Sequence, residues 1–125
     1  MSASDVNQPR LRIEAWGDEN SLPPVDRLAR WTIAGERSAL MRCRIDEGFV
    51  VPEHAHPEEQ ITMILEGRLE FTVEDPDSGS LTTTAGAGEV VIVPGGLKHG
   101  ALALTDVVSV DVFTPIKRDL LPQPA

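Results

Sequence analysis

Gly48-Phe49-Val50-Val51-Pro52-Glu53-His54-Ala55-His56-Pro57-Glu58-Glu59-Gln60 is the stretch that decides how this chain is read. Two histidines stand one residue apart at the end of an apolar, β-like run. Successive side chains on a strand alternate faces, so His54 and His56 are expected to point the same way and to chelate one ion. Neutral imidazole is a common metal ligand, and a first-row divalent ion takes three or four N or O donors at about 2.0–2.2 Å. The chain has one more histidine, His99, after Pro94-Gly95-Gly96-Leu97-Lys98. It is expected to complete the set.

At 125 residues the chain is expected to be a single domain, large enough for a core and too small for two. Its formal charge of −9 argues against a nucleic-acid surface or an anionic membrane as partner, because both would repel it. Any anionic substrate must find a local basic patch. No stretch approaches the ~20 apolar residues of a membrane span, and Met1 to Asn7 is polar, so a cytoplasmic location is the default expectation. Cys43 is the only cysteine and cannot form an internal disulfide. Met41, Cys43 and Ile45 share one face of their run and Arg42 and Arg44 the other, which favours Cys43 as a small buried hydrophobe over a thiol ligand or nucleophile.

Ten glycines and ten prolines punctuate short β-branched runs, and no amphipathic helix longer than two turns is evident. The pattern predicts an all-β sandwich or barrel. Strands are expected over Leu11–Trp16, Arg30–Ile33, Ser38–Asp46, Val50–His56, Gln60–Glu66, Arg68–Glu74, Ser80–Thr84, Glu89–Pro94, His99–Ala103 and Val107–Thr114. Asp75-Pro76-Asp77-Ser78-Gly79 has turn chemistry and should close a hairpin pairing Glu70 with Thr84. Gly67 is expected at a tight strand reversal. Arg10 to Trp16 alternates as an edge strand would, one that could pair with another subunit. The core is placed at about 30–116, with 1–9 and 119–125 as flexible tails.

With these residues in place, the chain resembles the cupin superfamily. Its first motif, G-x5-H-x-H with a glutamate four residues on and a closing glycine, is matched by Gly48, His54, His56, position 60 and Gly67. The second, G-x5-P-x-G-x2-H-x3-N, is matched by Gly88, Pro94, Gly96 and His99. Two positions depart from the pattern: Gln60 stands where most cupins have glutamate, and Ala103 replaces the closing asparagine. The resemblance implies a double-stranded β-helix, the jelly-roll cupin barrel, over 1–125, with a metal in its mouth held by His54, His56, Gln60 and His99. An amide ligates through its carbonyl oxygen without adding charge, so the ion stays a stronger Lewis acid. Ligand type alone leaves Ni, Zn, Fe and Mn open as the one divalent transition ion. Resemblance also implies a homodimer.

Val107 to Leu121 sharpens the comparison. Ser109-Val110-Asp111-Val112-Phe113-Thr114-Pro115-Ile116-Lys117-Arg118-Asp119 resembles the end of the small cupins that linearise 4,5-unsaturated uronates. That resemblance implies Asp111 as the catalytic group that moves protons, Phe113 as a substrate contact, and Lys117, at the position of the family's pocket arginine, or Arg118 one step away, as the group that holds the substrate's acid. Lysine keeps the charge and loses bidentate recognition of a carboxylate. Alternation independently puts Val108, Val110 and Val112 on one face and Ser109, Asp111 and Phe113 on the other. An unpaired buried carboxylate costs several kcal/mol, so Asp111 meets a cation, has catalytic work, or is held by a hydrogen bond or by Arg42 or Arg44.

The function expected is therefore Lewis-acid and general-base chemistry on a small, acidic, sugar-like or carboxylate substrate, of the uronate-linearising or isomerising type. The alternatives are a cupin dioxygenase, lyase or polyketide-tailoring enzyme, and a non-catalytic small-molecule-binding cupin. With no tyrosine and few aromatics, no platform for an aromatic substrate stands out.

Overall fold

The computed structural model describes residues 9–122. Nine strands follow a 3-10 turn at Asp18–Asn20: β1 Leu28–Ala34, β2 Ala39–Ile45, β3 Val50–His54, β4 Glu59–Glu66, β5 Arg68–Asp75, β6 Gly79–Gly86, β7 Val90–Val93, β8 His99–Ala103 and β9 Val107–Thr114. They form two antiparallel sheets, one ordered β1-β2-β9-β4-β7 and the other β3-β8-β5-β6. The sheets face each other as a jelly roll, with Ile64, Leu69, Phe71, Val107 and Phe113 buried between them. Among the described residues no helix is long and apolar enough to cross a membrane.

Period-two alternation decides what each strand gives the interior. On β2, Ala39, Met41, Cys43 and Ile45 are buried while Leu40 and Arg44 are exposed. On β9 the inward set is Val107, Ser109, Asp111 and Phe113, so polar groups enter the barrel and Val108, Val110 and Val112 lie on its outside. The outer face of the five-stranded sheet consequently carries many apolar side chains. Its register gives a row Ile33–Leu40–Val112–Ile61–Ile92 across all five strands, with Leu40 42% and Ile92 64% exposed.

The Asp75 turn forms as its chemistry predicts. Asp75 Oδ1 accepts from the backbone N–H groups of Asp77 and Ser78, Gly79 has φ of 86°, and Glu70 pairs with Thr84. Gly67 plays a different part from the hairpin reversal expected of it. Here β4 in one sheet becomes β5 in the other, so the glycine marks a crossover between sheets. Its φ is 85°, and a Cβ would run into the carbonyl oxygen of Asp106.

Three further expectations are corrected. Leu11–Trp16 is not a strand: no neighbouring strand lends it a hydrogen-bonded ladder, and Leu11 and Ile13 are 91% and 90% exposed. The strand expected to run to His56 ends at His54, because the pairing with β8 slips between Val51 and His54 and the chain turns off the sheet at Pro57. The tail expected from residue 119 opens instead inside a 3-10 turn, Arg118–Leu120, whose Leu120 packs against the core. Expectations for residues 1–8 and 123–125 lie outside the described residues.

Gly67→Ala is predicted to cost about 2 kcal/mol or more, since it combines left-handed backbone with a collision against fixed backbone. Gly79→Ala, with the same sign of φ and open space around its Cβ, should cost about 1 kcal/mol. Urea denaturation midpoints of the two variants check the order.

Candidate functional site

The final pair of β3 and β8 places His54 directly opposite His99. His56 arrives from the loop that follows, pinned by a 2.8 Å hydrogen bond from the Gly96 N–H to its own carbonyl. Beside it, a Cβ on Gly95 would strike the carbonyl of Pro57. The glycines therefore let one histidine-bearing loop lie flat on the other. The chelate rests on this loop contact and on the His54–His99 strand pair, and not on alternation along one strand.

Each imidazole is turned by the same device. Nδ1 of His54 lies 2.9 Å from the carbonyl of Pro52, that of His56 3.0 Å from Glu58, and that of His99 2.8 Å from Leu97. A carbonyl can only accept, so each ring donates from Nδ1 and carries its lone pair on Nε2. Ligand nitrogens of the three rings lie within 4.8 Å of one another. His99 Nε2 is buried with no hydrogen-bond partner. Burial first, then the neighbouring His54 and His56, hold the His99 imidazole below its ordinary range and so in the neutral form a ligand needs.

Gln60, inward on β4, supplies the sharpest sign that a cation belongs here. Its Nε2 donates to Thr62 Oγ1 at 2.9 Å, and the Thr62 hydroxyl donates its one proton to Asp111 Oδ1. That chain fixes the amide, so Oε1 must face His56 Nε2, 3.2 Å away. Two acceptor lone pairs then oppose each other across a gap that a metal ion would fill. The donor set fits a divalent transition ion: His54, His56 and His99 could hold one, with Gln60 Oε1 beside them.

Below the histidines a cavity of about 180 Å³ opens between the sheets. Its walls are largely apolar, with Arg30, Cys43, Thr62, Ser109, Asp111 and Lys117 among the residues that line it. Asp111 is 6% exposed, and burial raises its carboxyl to about 6 against the restraint of hydrogen bonds from Thr62, Cys43 and Gln60. Those groups, and neither Arg42 nor Arg44, are its partners. Both arginines are on the outer face, where the Arg42 guanidinium lies 5.5 Å from the centre of the Trp31 ring. Cys43 is buried as expected, yet it is more than filler: its Sγ lies 3.7 Å from Asp111 Oδ2. Burial and the Asp111 charge push the thiol up, so it stays protonated and acts as a weak donor, which removes it as a nucleophile.

Phe113 is in the cavity wall, its ring edge-on to His56 at 5.7 Å. Lys117 also lines the cavity, but its Nζ is bound to Asp119 Oδ2 at 2.6 Å. Arg118 is exposed and forms no part of the lining, because the 3-10 turn carries it to the outside; it is not brought to the site. Thr62 and Arg30 are site residues that the sequence reading passed over. Thr62 could have been found from its alternation with Gln60, whereas Arg30 gave the opposite signal, since Trp31 and Ile33 look like the buried face of β1.

A jelly roll with three convergent histidines at one end of its cavity defines a class of metal-binding barrel. The family model described as "Cupin domain" matches residues 41–113, and the chain belongs to the cupin family. Among solved structures it is similar to an RmlC-like cupin from Shewanella frigidimarina, at 23% identity and TM-score 0.72 over 84% of this chain and 92% of that one. It is similar also to KdgF from Halomonas sp., at 24% identity and TM-score 0.71 over 81% and 90%. Variants of oxalate decarboxylase OxdC from Bacillus subtilis match at 21% identity and TM-score 0.70, over 78% of this chain and 28% of theirs. At these identities the likeness is one of fold. No curated protein matches the chain.

The raised carboxyl of Asp111 sets the sign of a pH effect. A folded-state value near 6 against an ordinary 3.8 means that the folded protein holds this proton more tightly than the unfolded chain. The stabilisation is complete below about pH 4 and is lost as pH rises through about 6, on the order of 3 kcal/mol in all. In protein stripped of metal, Asp111→Asn is predicted to remove this fall, which urea midpoints of both proteins between pH 4 and 7 would show. Parallel profiles would contradict it.

Proposed function

We propose that this cupin is an enzyme that isomerises a small acidic sugar, of the unsaturated uronate class, at a single metal centre held by His54, His56, His99 and Gln60. The observation that carries the reading is Asp111. It is a buried carboxyl titrating near neutrality, in the cavity that the histidines overlook, and tied through Thr62 to Gln60. Resemblance of the Asp111–Asp119 segment to uronate-linearising cupins supports the choice of substrate.

Opening an unsaturated cyclic uronate to its linear keto form is an isomerisation. A proton leaves the anomeric hydroxyl, the bond from the anomeric carbon to the ring oxygen breaks, and a proton arrives at the former alkene carbon. A bound Ni, Zn, Fe or Mn ion would stabilise negative charge developing on a substrate oxygen. Asp111 takes the hydroxyl proton and returns it to carbon, for which a value near 6 is well matched. Thr62 and Cys43 hold its carboxylate in place. Phe113 gives the sugar ring an apolar wall, and Lys117 adds positive charge at the cavity rim.

Metal-loaded protein is expected to accelerate ring opening of 4,5-unsaturated galacturonate followed by NMR. Asp111→Asn should retain metal and lose at least ~100-fold in kcat. No acceleration over the blank, with metal bound, would sink the enzyme reading.

We also infer that two copies of the chain pair through the outer face of the five-stranded sheet. The row Ile33–Leu40–Val112–Ile61–Ile92 and its neighbour Trp31–Arg42–Val110–Met63–Val90 carry no acidic group. Two chains of charge −9 would meet there without opposing carboxylates. An apolar row laid on its own symmetry copy is self-complementary. Light scattering should give twice the 13.6 kDa chain mass, and Met63→Lys with Ile92→Lys should give the monomer. A monomeric wild type would refute the pairing.

A further inference from the structure

We propose that Arg30 is the group that holds the anionic end of the ligand, at the far end of the cavity from the histidines. The inference rests on the reading of this site as one for a small acid, and adds where the acid group binds and what kind of ligand can reach it. Arg30 lies inward on β1. In the sheet register it shares a row with Cys43, Ser109 and Ile64, two rows beyond the one containing Gln60. Between β4 and β1 stand β9 and β2. Arg30 therefore starts about 14 Å along the strands and about 14 Å across them from Gln60, and its side chain reaches into the cavity between.

Its guanidinium is the cation left uncommitted there. Arg30 Nε is buried and has no hydrogen-bond partner. Every other candidate for the role is occupied or elsewhere: Lys117 is bound to Asp119 at 2.6 Å, Arg118 is exposed outside the lining, and Arg42 and Arg44 are on the outer face. Among the described residues no carboxylate is paired with Arg30, while Asp111 is held by Thr62, Cys43 and Gln60. Taking a guanidinium partly out of water without a counter-ion is unfavourable, and a ligand carboxylate would restore the balance with two parallel N–H···O bonds. The ligand class follows from the geometry. It is a small acid whose metal-facing oxygen and carboxylate lie at opposite ends, in contrast to one that presents its carboxylate to the metal.

The test uses metal-loaded protein and two probes, D-galacturonate and its neutral methyl ester, with affinities measured by calorimetry. Wild type is expected to prefer the acid by ~10-fold or more. Arg30→Met should abolish that preference, Arg30→Lys should keep part of it, and Arg118→Met, outside the lining, should leave it largely intact. Because Arg30 has no hydrogen-bonded carboxylate among the described residues, Arg30→Met should melt at or above the wild-type temperature, which a purely structural arginine would not allow. A preference that survives Arg30→Met, or a wild type that does not distinguish the probes, overturns the proposal. The enzyme reading fails separately: wild type that prefers the acid but does not open the unsaturated uronate would leave Arg30 as the anchor of a binding protein.

Discussion

The orientation of one amide governs the centre of this protein. Thr62 has a single hydroxyl proton and Asp111 takes it, so Gln60 must give its NH2 to Thr62 and turn its oxygen to His56. A lone pair thereby faces a lone pair at the position where an ion would complete the set. The three backbone carbonyls behind the imidazoles act to the same end, since each commits Nδ1 to donation and frees Nε2. The hydrogen-bonded unit thus runs from Gln60 through Thr62 to Asp111 and the Cys43 thiol, with the Gln60 oxygen turned towards His56. A change of protonation at one end alters the constraint on the other.

The fold supplies this unit by dividing it between two sheets. His54 and His99 come from the paired ends of β3 and β8, whereas Gln60, Thr62, Asp111 and Cys43 come from the inner faces of β4, β9 and β2 in the opposite sheet. Nothing local would hold the halves in register. What does is the seating of the Gly95–Gly96 loop on the His56–Pro57 segment, and the crossover at Gly67, where a side chain has no room. Such glycines serve close backbone approach, which is why they stand at fixed distances from the histidines.

This division also explains how far the sequence could be read. His54, His56 and His99 were legible because two spaced motifs each carry turn residues whose chemistry is local, and the Asp75 hairpin was legible for the same reason. The alternation of β2 and β9 was legible too, whereas the inward face of β1 was not. Hydrophobicity identifies the buried face of a strand only when the other face meets water, and here the outer face of β1, β9, β4 and β7 itself carries many apolar side chains. Arg30 was therefore hidden behind Trp31 and Ile33. On β9 the polar residues proved to be the inward set, which their carboxylate alone could suggest. Arg118 and Leu11–Trp16 mislead differently: each has a plausible pattern, but a 3-10 turn rotates the first out of the site and the second finds no strand to pair with within the chain.

Gln60, the departure from the usual glutamate, and Asp111 make physical sense as a pair. A carboxylate at position 60 would place a second acid on the Thr62 hydroxyl, which has one proton to give. Two buried carboxylates sharing that group could not both ionise, so one would keep a proton and its value would climb. The neutral amide removes the conflict. It lets Asp111 be the one acid of the network, raised by burial to about 6 and still able to shed its proton near neutrality. It also leaves the charge of an ion at the histidines less compensated, so that a negatively charged ligand oxygen has more to gain there. With an ion at the histidines, the charge absent from the ligand set would favour negative charge on a ligand oxygen at that end of the cavity and leave Asp111 free to ionise, and a glutamate at position 60 would weaken both together.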